Sequence, residues 1–108
     1  MKHKIFNNYV DEVSHIFGID KEMLFTKNKR RDIVSARYLV YYLCSLRPMS
    51  LVNIGDFMME NGYSIKHSTI HYGVDRVKQR ILTDKDWKES VEAILNEALS
   101  DLKYLLQE

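Results

Sequence analysis

Few side chains of this chain have the types and spacing that catalysis or metal binding needs. His67 and His71 lie four residues apart, a spacing that can hold a metal ion on one face of a helix. No glutamate follows His67 and no third ligand can be nominated, so a zinc hydrolase is not expected. The single Cys44 lies in an apolar run and is expected to be a buried, inert thiol. We therefore predict no catalytic residue, no metal site and no cofactor.

Two polar segments have the composition of nucleic-acid contacts. Residues 26–31 form a basic cluster, and residues 66–72 combine a lysine, two histidines, two hydroxyl side chains and a tyrosine. Cations suit phosphates, whereas short hydrogen-bonding side chains suit base edges in a major groove. The alternative interpretation of either segment is an ordinary solvated surface.

The charge of the chain is unevenly distributed. Its net charge is only +1, but residues 1–83 carry 13 Lys and Arg against 8 Asp and Glu, and residues 84–108 carry 3 against 7. A basic body can still present a positive face, because screening limits each charge to about 8–10 Å at physiological salt. No leader opens the chain, and no apolar run approaches the roughly 20 residues that cross a bilayer. We expect a cytoplasmic, nucleoid-associated protein without a membrane partner.

Hydrophobic spacing predicts six helical segments and no strand, and hence an all-α fold. At 108 residues, with 45% hydrophobic residues, the chain is expected to form one compact domain. Its core is expected at about residues 9–82, with an additional C-terminal helix at about 84–106. The expected segments and their boundary signals are 9–17 closed by Gly18, 20–25 capped by Asp20, 32–46 stopped by Pro48, 51–60 capped by Ser50, 67–82, and 84–106 capped by Thr83 or Asp84.

Helical periodicity also predicts which residues face the core. The inward residues are expected to be Tyr9, Val10, Val13, Ile16 and Phe17 in the first helix, Ile33, Ala36, Val40, Leu43 and Cys44 in the second, and Ile70, Val74, Val77 and Ile81 in the helix from 67. On the opposite side of that last helix lie Ser68, Thr69, Tyr72 and Arg76. Such a polar face suits a helix lying in a major groove, and the segment 51–82 is typical of a helix-turn-helix.

In this order, the motifs resemble the C-terminal, duplex-binding domain of the bacterial replication initiator DnaA. The resemblance covers about residues 9–80. The matching motifs are Thr26-Lys27, Ile33-Val34, Ala36-Arg37, Ser50-Leu51, Ile54-Gly55-Asp56 and His67-Ser68-Thr69-Ile70. In that family a basic loop enters the minor groove and the helix that carries the last motif reads the major groove.

The resemblance implies double-stranded DNA as the partner and assigns a role to particular positions. Lys29 takes the place of a minor-groove arginine, Arg37 matches an arginine that approaches DNA, and Leu51 lies near the phosphate backbone. The residues expected to contact DNA are Lys27, Lys29, Arg30, Arg31, Arg37, Leu51, Lys66, His67, Ser68, Thr69, Tyr72 and Arg76.

Four departures from the family pattern affect the expected specificity. Lys66 stands where the family has an aspartate, and a lysine favours guanine or a phosphate instead of cytosine. Tyr38 replaces a glutamine and Tyr72 a histidine, and the stretch 58–65 is about four residues longer than the family's turn. We therefore expect duplex binding but not the same recognition sequence.

The predicted function is that of a sequence-preferring DNA-binding regulator of replication or transcription. No nucleotide partner or ATPase activity is expected, because the chain has no Gly-x-x-x-x-Gly-Lys-Ser/Thr loop. The alternative is a protein-interaction module that has lost DNA binding. Trp87, Val91, Ile94 and Ala98 have the spacing of a helix pair, so the last helix could form a homodimer, or it could cover the domain's own core.

Overall fold

The computed structural model is all-helical over the described part of the chain, as the hydrophobic spacing predicted. It describes the backbone of residues 1–47 and 49–106 and the side chains as far as Asn96. The helices are α1 (Lys2–Phe17), a short 3-10 helix (Lys21–Phe25), α2 (Arg31–Ser45), α3 (Leu51–Glu60), α4 (His67–Thr83) and α5 (Lys85–Leu106). None of the helices in these residues is long and apolar enough to cross a membrane.

The contacts within the chain form two compact units, Met1–Val77 and Lys78–Glu108, and their boundary falls inside α4. In the first unit, α2 lies at the centre and contacts α1, α3 and the 3-10 helix. All five residues expected to face inward on α2 are buried, at 1% exposure or less. Each large apolar side chain buried in this way contributes about 1.5–3 kcal/mol to folding. This packing fixes the position of the loop that leads into α2.

Helix α1 begins earlier than predicted and presents a slightly different face. It starts at Lys2, and Phe6, one turn before the expected start, is buried beside Tyr9. The expectation that Ile16 faces inward was wrong, since Ile16 is 47% exposed and Ser14 is buried instead. Both residues lie at the edges of the apolar stripe, where periodicity alone does not decide burial. Gly18 closes the helix in the left-handed conformation at φ 63°, as predicted.

The boundaries of α3 are formed by local hydrogen bonds. The Ser50 hydroxyl accepts from the Asn53 N–H at 3.1 Å, and the Asn53 side chain accepts from the Ser50 N–H at 3.2 Å, so the predicted cap is part of a capping box. Beyond the helix, Gly62 adopts φ 91°, a conformation that glycine allows at little cost. The predicted stop at Pro48 lies outside the described residues.

Helix α4 has the two faces that its periodicity predicted. Ile70, Val74 and Val77 are buried, whereas Ile81 is half-buried. In the second unit, Asp84 caps α5: its carboxylate accepts from the N–H groups of Asp86 and Trp87 at 3.0 and 3.3 Å. The Arg80 guanidinium lies 4.2 Å from the centre of the Trp87 ring. Val91 and Ile94 of α5 are also buried.

Candidate nucleic-acid interface

Helices α3 and α4 form the helix-turn-helix, joined by the turn of residues 61–66. They approach each other at Gly55, where a β-carbon would lie 3.5 Å from the His67 ring and 3.6 Å from Ile70. Gly55 and Ile70 are buried, whereas His67, the first residue of α4, is exposed. The ring of His67 therefore rests against α3 with part of its surface open to a ligand.

The outward face of α4, together with Lys66 just before it, carries polar side chains that are not bonded within the described part of the chain. Lys66, Ser68, Thr69 and Arg76 are exposed, and none of their side chains makes a hydrogen bond or ion pair with another described residue. Donors and acceptors that are not used within a protein are available to a partner. The prediction of a polar, outward face on this helix is therefore confirmed.

Two tyrosines extend this face towards α2. Tyr72 is 55% exposed, and its ring meets that of Tyr38 edge-on at 6.0 Å between centroids. Burial raises the pKa of Tyr38, and the neighbouring phenols of Tyr72 and Tyr63 raise it further. Tyr72 thus contacts the Tyr38 ring while more than half of its surface is open to solvent.

The basic loop of residues 26–31 has an ordered backbone. The Thr26 hydroxyl accepts from the Asn28 N–H at 3.4 Å, and the Asn28 side chain accepts from the Arg30 N–H at 2.8 Å. Turns of this kind, in which a short polar side chain bonds the backbone two residues on, restrict a loop to one conformation. The loop is therefore built to present its side chains in a defined direction.

Arg37 of α2 holds this loop through hydrogen bonds to its backbone carbonyls. It is 5% exposed, and its guanidinium donates to the carbonyls of Leu24 at 2.9 Å, Asn28 at 2.8 Å and Thr26. Arg37 was expected to contact DNA; its Nε and one Nη are bonded to the carbonyls of Leu24, Thr26 and Asn28, and a DNA contact by this side chain stays a prediction. These three hydrogen bonds show that Arg37 holds the backbone of the loop.

The four cations of the loop differ in how freely they can meet a phosphate. Lys29 and Arg31 are exposed and unpaired among the described residues. Arg30 forms a two-bond pair with Asp32 at 2.9 and 2.8 Å, and this pairing lowers the pKa of the Asp32 carboxyl. The Lys27 ammonium donates to the carbonyl of Ser64 at 3.2 Å.

Residues that sequence reasoning missed lie in the turn before α4 and on α4 itself. The Tyr63 ring has Lys27 Nζ 4.7 Å and Arg37 Cζ 4.9 Å from its centroid. The sequence feature that could have indicated Tyr63 was an aromatic residue inside a turn that is longer than the turn of the family. Sequence reasoning also missed Gly73, where the structure leaves no room for a β-carbon because the Tyr38 ring lies against the backbone.

Other expected features are placed as follows. Leu51 is half-buried in the first turn of α3. The His71 ring lies 3.7 Å from an Asp75 carboxylate oxygen, as a one-turn pair on the surface of α4. Among the described residues, no group of three or more histidine, cysteine, aspartate or glutamate side chains could hold a metal ion. Burial raises the pKa of the Cys44 thiol to about 12.

Comparison with known proteins bears on this arrangement directly. Residues 7–77, from α1 to the middle of α4, match the family model for the bacterial DnaA protein helix-turn-helix. The chain belongs to this family. The resemblance predicted over about residues 9–80 is thus confirmed, and with it the DnaA-like helix-turn-helix.

Curated relatives that match are DnaA initiators from several bacteria. The chromosomal replication initiator protein DnaA of Flavobacterium psychrophilum is 30% identical over 102 residues, which cover 93% of this chain and 20% of that protein. The protein of the same name from Chloroflexus aggregans is 32% identical over 83 residues, covering 76% of this chain and 16% of the relative. The chain therefore spans about a fifth of the length of the DnaA proteins that it matches.

Proposed function

We propose that this chain binds double-stranded DNA with a sequence preference and acts as a regulator of replication or transcription at the nucleoid, without ATPase activity of its own. In this proposal the loop of residues 26–31 enters a minor groove. The first two turns of α4 lie in the adjacent major groove. Membership of the DnaA helix-turn-helix family and the initiator relatives support the assignment.

The observation that carries the proposal is the proximity of the loop to the start of α4. Lys27 of the loop donates to Ser64, which lies three residues before His67. Exposed cations at positions 29, 31 and 66 therefore belong to neighbouring segments. A duplex presents phosphates on both sides of each groove, so adjacent basic segments can engage one continuous stretch of backbone.

The proposal divides affinity and specificity between these two segments. Lys29 and Arg31 supply phosphate and minor-groove contacts, because a narrow A·T-rich minor groove concentrates negative potential. His67, Ser68 and Thr69 approach base edges, and Tyr72 can meet a thymine methyl group through its open edge. Lys66 favours guanine or a phosphate, so the preferred site differs from that of an initiator with aspartate at this position.

The proposal is tested by fluorescence anisotropy of the full chain against three duplexes. One carries the initiator's box, one is scrambled and one comes from a random-sequence selection, each at two salt concentrations. We expect a clear preference for one sequence and a steep loss of affinity with salt. His67→Ala and Thr69→Ala should each cost about 1–3 kcal/mol per lost base contact on the preferred site. Unchanged affinity and selectivity in both variants would contradict the proposal that α4 lies in the major groove.

A second candidate function is protein binding, which exposed apolar side chains on α3 favour. Val52 and Met59 are 51% and 59% exposed, with the exposed Asp56 between them on the same face. A chain that binds no duplex even at low salt would support this candidate.

Homodimerisation through α5 belongs to the same alternative, although Val91 and Ile94 are already buried and Ala98 lies outside the described side chains. Molar mass in solution, with and without residues 84–108, tests it.

A further inference from the structure

Tyr63 lies where the turn between α3 and α4 meets the basic loop. Its ring is half-buried and is approached by two cations, Lys27 from the loop and Arg37 from α2. Their distances of 4.7 and 4.9 Å from the ring centroid are within the range of a cation–π contact. The ring therefore touches both the loop and the residue that holds the loop.

Each of these cations makes a second contact that ties the same segments together. Lys27 also donates to the carbonyl of Ser64, the residue after Tyr63, at 3.2 Å. Arg37 also donates to the carbonyls of Thr26 and Asn28 inside the loop. The loop is thus attached at its start to the turn and along its length to α2, with one aromatic ring common to both attachments.

We propose that Tyr63 is a positioning residue that fastens the basic loop to the turn before α4, so that Lys29 and Arg31 are presented at a fixed distance from the first turn of that helix. This inference rests on the proposed function for its effect on DNA. It assigns a task to the lengthened turn, which otherwise only separates two helices.

The expected benefit is preorganisation. A loop that is already held in its bound shape loses less conformational freedom when DNA binds, so affinity rises without a new contact. Without the ring, Lys27 and Arg37 retain their hydrogen bonds but lose the surface on which both rest. The loop should then open more often, while the helices that flank it keep their packing.

Hydrogen exchange of the free, full chain tests the attachment without any DNA. The Arg30 amide reports on the loop because it donates to Asn28 within it at 2.8 Å, and the Val40 amide reports on the core of α2. In Tyr63→Leu, the Arg30 amide should exchange roughly five- to tenfold faster, as expected for the loss of cation–π contacts. The exchange rate of the Val40 amide should change only as much as the global stability of the variant changes. If Tyr63 served only the stability of the fold, both amides would exchange faster by the same factor.

Two variants serve as controls. Tyr63→Phe keeps the ring and should leave the Arg30 amide as in the wild type. Tyr42→Leu removes another half-buried tyrosine. Lys27 and Arg37 lie over the Tyr63 ring and not over that of Tyr42, so this variant should not accelerate exchange of the Arg30 amide. Equal exchange at Arg30 in the wild type and Tyr63→Leu would overturn the proposal, whatever the outcome with DNA.

Duplex binding then tests the consequence. On the preferred site, Tyr63→Leu should lose affinity roughly five- to tenfold, and Tyr63→Phe should restore it. On a duplex whose loop-contacting segment has been scrambled, the loop keeps its phosphate contacts but loses the A·T-rich minor groove, so the difference in affinity between the two variants should be smaller. Faster loop exchange with unchanged affinity would overturn the positioning role, whereas a wild-type chain that binds no duplex would overturn the proposed function and leave the exchange result to decide the attachment.

Discussion

Gly73 of α4 lies directly against the ring of Tyr38 of α2. A β-carbon at position 73 would come within 2.6 Å of Tyr38 Cδ1 and 3.1 Å of the Tyr41 ring. The same Tyr38 ring meets Tyr72 edge-on. The missing side chain at position 73 therefore brings α4 close to α2 and leaves room for the aromatic ring that supports Tyr72 on the outer face.

We expect Gly73→Ala to destabilise the protein. The new methyl group would meet Cδ1 and Cγ of the Tyr38 ring and Cδ2 of the buried Tyr41 ring, and none of these atoms is the far end of a flexible side chain that could move aside cheaply. Overpacking of this kind costs about 1–3 kcal/mol, only partly offset by up to about 1 kcal/mol of better helix propensity. Urea denaturation measures the difference. Gly55→Ala is the matched control, because its β-carbon would make ordinary contacts at 3.5–3.6 Å, so this variant should be as stable as the wild type or up to about 1 kcal/mol more stable through its helix propensity. A Gly73→Ala variant as stable as Gly55→Ala would contradict the close approach.

Arg37→Ala should lower stability through the loop. Its guanidinium is buried and donates to three carbonyls, and hydrogen bonds from charged donors contribute about 1.5–3 kcal/mol each, not additively. We expect a loss of about 2–3 kcal/mol in urea denaturation, with Arg37→Lys intermediate because an ammonium cannot reproduce the guanidinium fork. Arg31→Ala, at an exposed position, should change stability by no more than about 0.5 kcal/mol. Equal stabilities of the two alanine variants would mean that Arg37 does not hold the loop.

The four loop cations should differ in their share of the salt dependence of DNA binding. Lys29→Ala and Arg31→Ala should each reduce the slope of log K against log salt by about 0.9, the value for one phosphate contact. Lys27→Ala and Arg30→Ala should reduce it less, since Lys27 is bonded to Ser64 and Arg30 to Asp32. The slopes are read from anisotropy titrations at several salt concentrations.

Asp32→Asn provides the reciprocal variant. It removes the negative charge that pairs with Arg30. It keeps a side-chain oxygen that can accept the hydrogen bond from the Ile33 N–H, which measures 2.9 Å in the wild type. The released Arg30 should strengthen binding and steepen the salt slope. Identical slopes for all four loop variants would refute the distinction between free and paired cations.

Stability should fall at alkaline pH through buried acids. Burial raises the pKa of the Cys44 thiol from 9.0 to about 12 and also raises that of Tyr41. Between about pH 9 and 12 the folded chain therefore holds a proton that the unfolded chain has released, so the free energy of unfolding decreases as pH rises. The slope for one such group is up to about 1.4 kcal/mol per pH unit, and below pH 9 it vanishes.

Urea denaturation at pH 8, 9.5 and 10.5 measures this decline. Cys44→Ala should show a shallower decline, because only the tyrosines then contribute. The native thiol should also react slowly with a disulfide reagent at pH 8 and rapidly in denaturant. Fast reaction of the folded chain would show that Cys44 is not buried.

Local features of the fold could be predicted from the sequence because local physics determines them. The caps at Ser50 and Asp84, the helix end at Gly18 and the inward face of α2 each depend on residues within one or two turns. The first turn of α1 was missed because Phe6 stands ahead of the run that marked the helix. The exposure of Ile16 depends on what packs at the edge of the apolar stripe, which periodicity does not encode.

The exposed basic loop and the polar outer face of α4 were predictable as segments, but which of their cations are paired within the protein was not. Composition and order identified the loop and the outer face of α4. Whether a basic side chain is free depends on contacts between residues far apart in the chain, such as Lys27 with Ser64 and Arg37 with Leu24. These contacts follow from tertiary packing, so charge and spacing alone could not separate Arg37 from Lys29.

The residues that hold the basic loop are different residues from those that point out of it. Arg37, Asn28 and Thr26 hold the backbone of the loop, whereas the side chains of Lys29 and Arg31 make no hydrogen bond or ion pair with another described residue. Mutations at the outward positions can therefore accumulate with little effect on folding. Selection can retune which grooves such a module prefers while its scaffold stays the same, and an engineer can randomise positions 29 and 31 without first restabilising the protein.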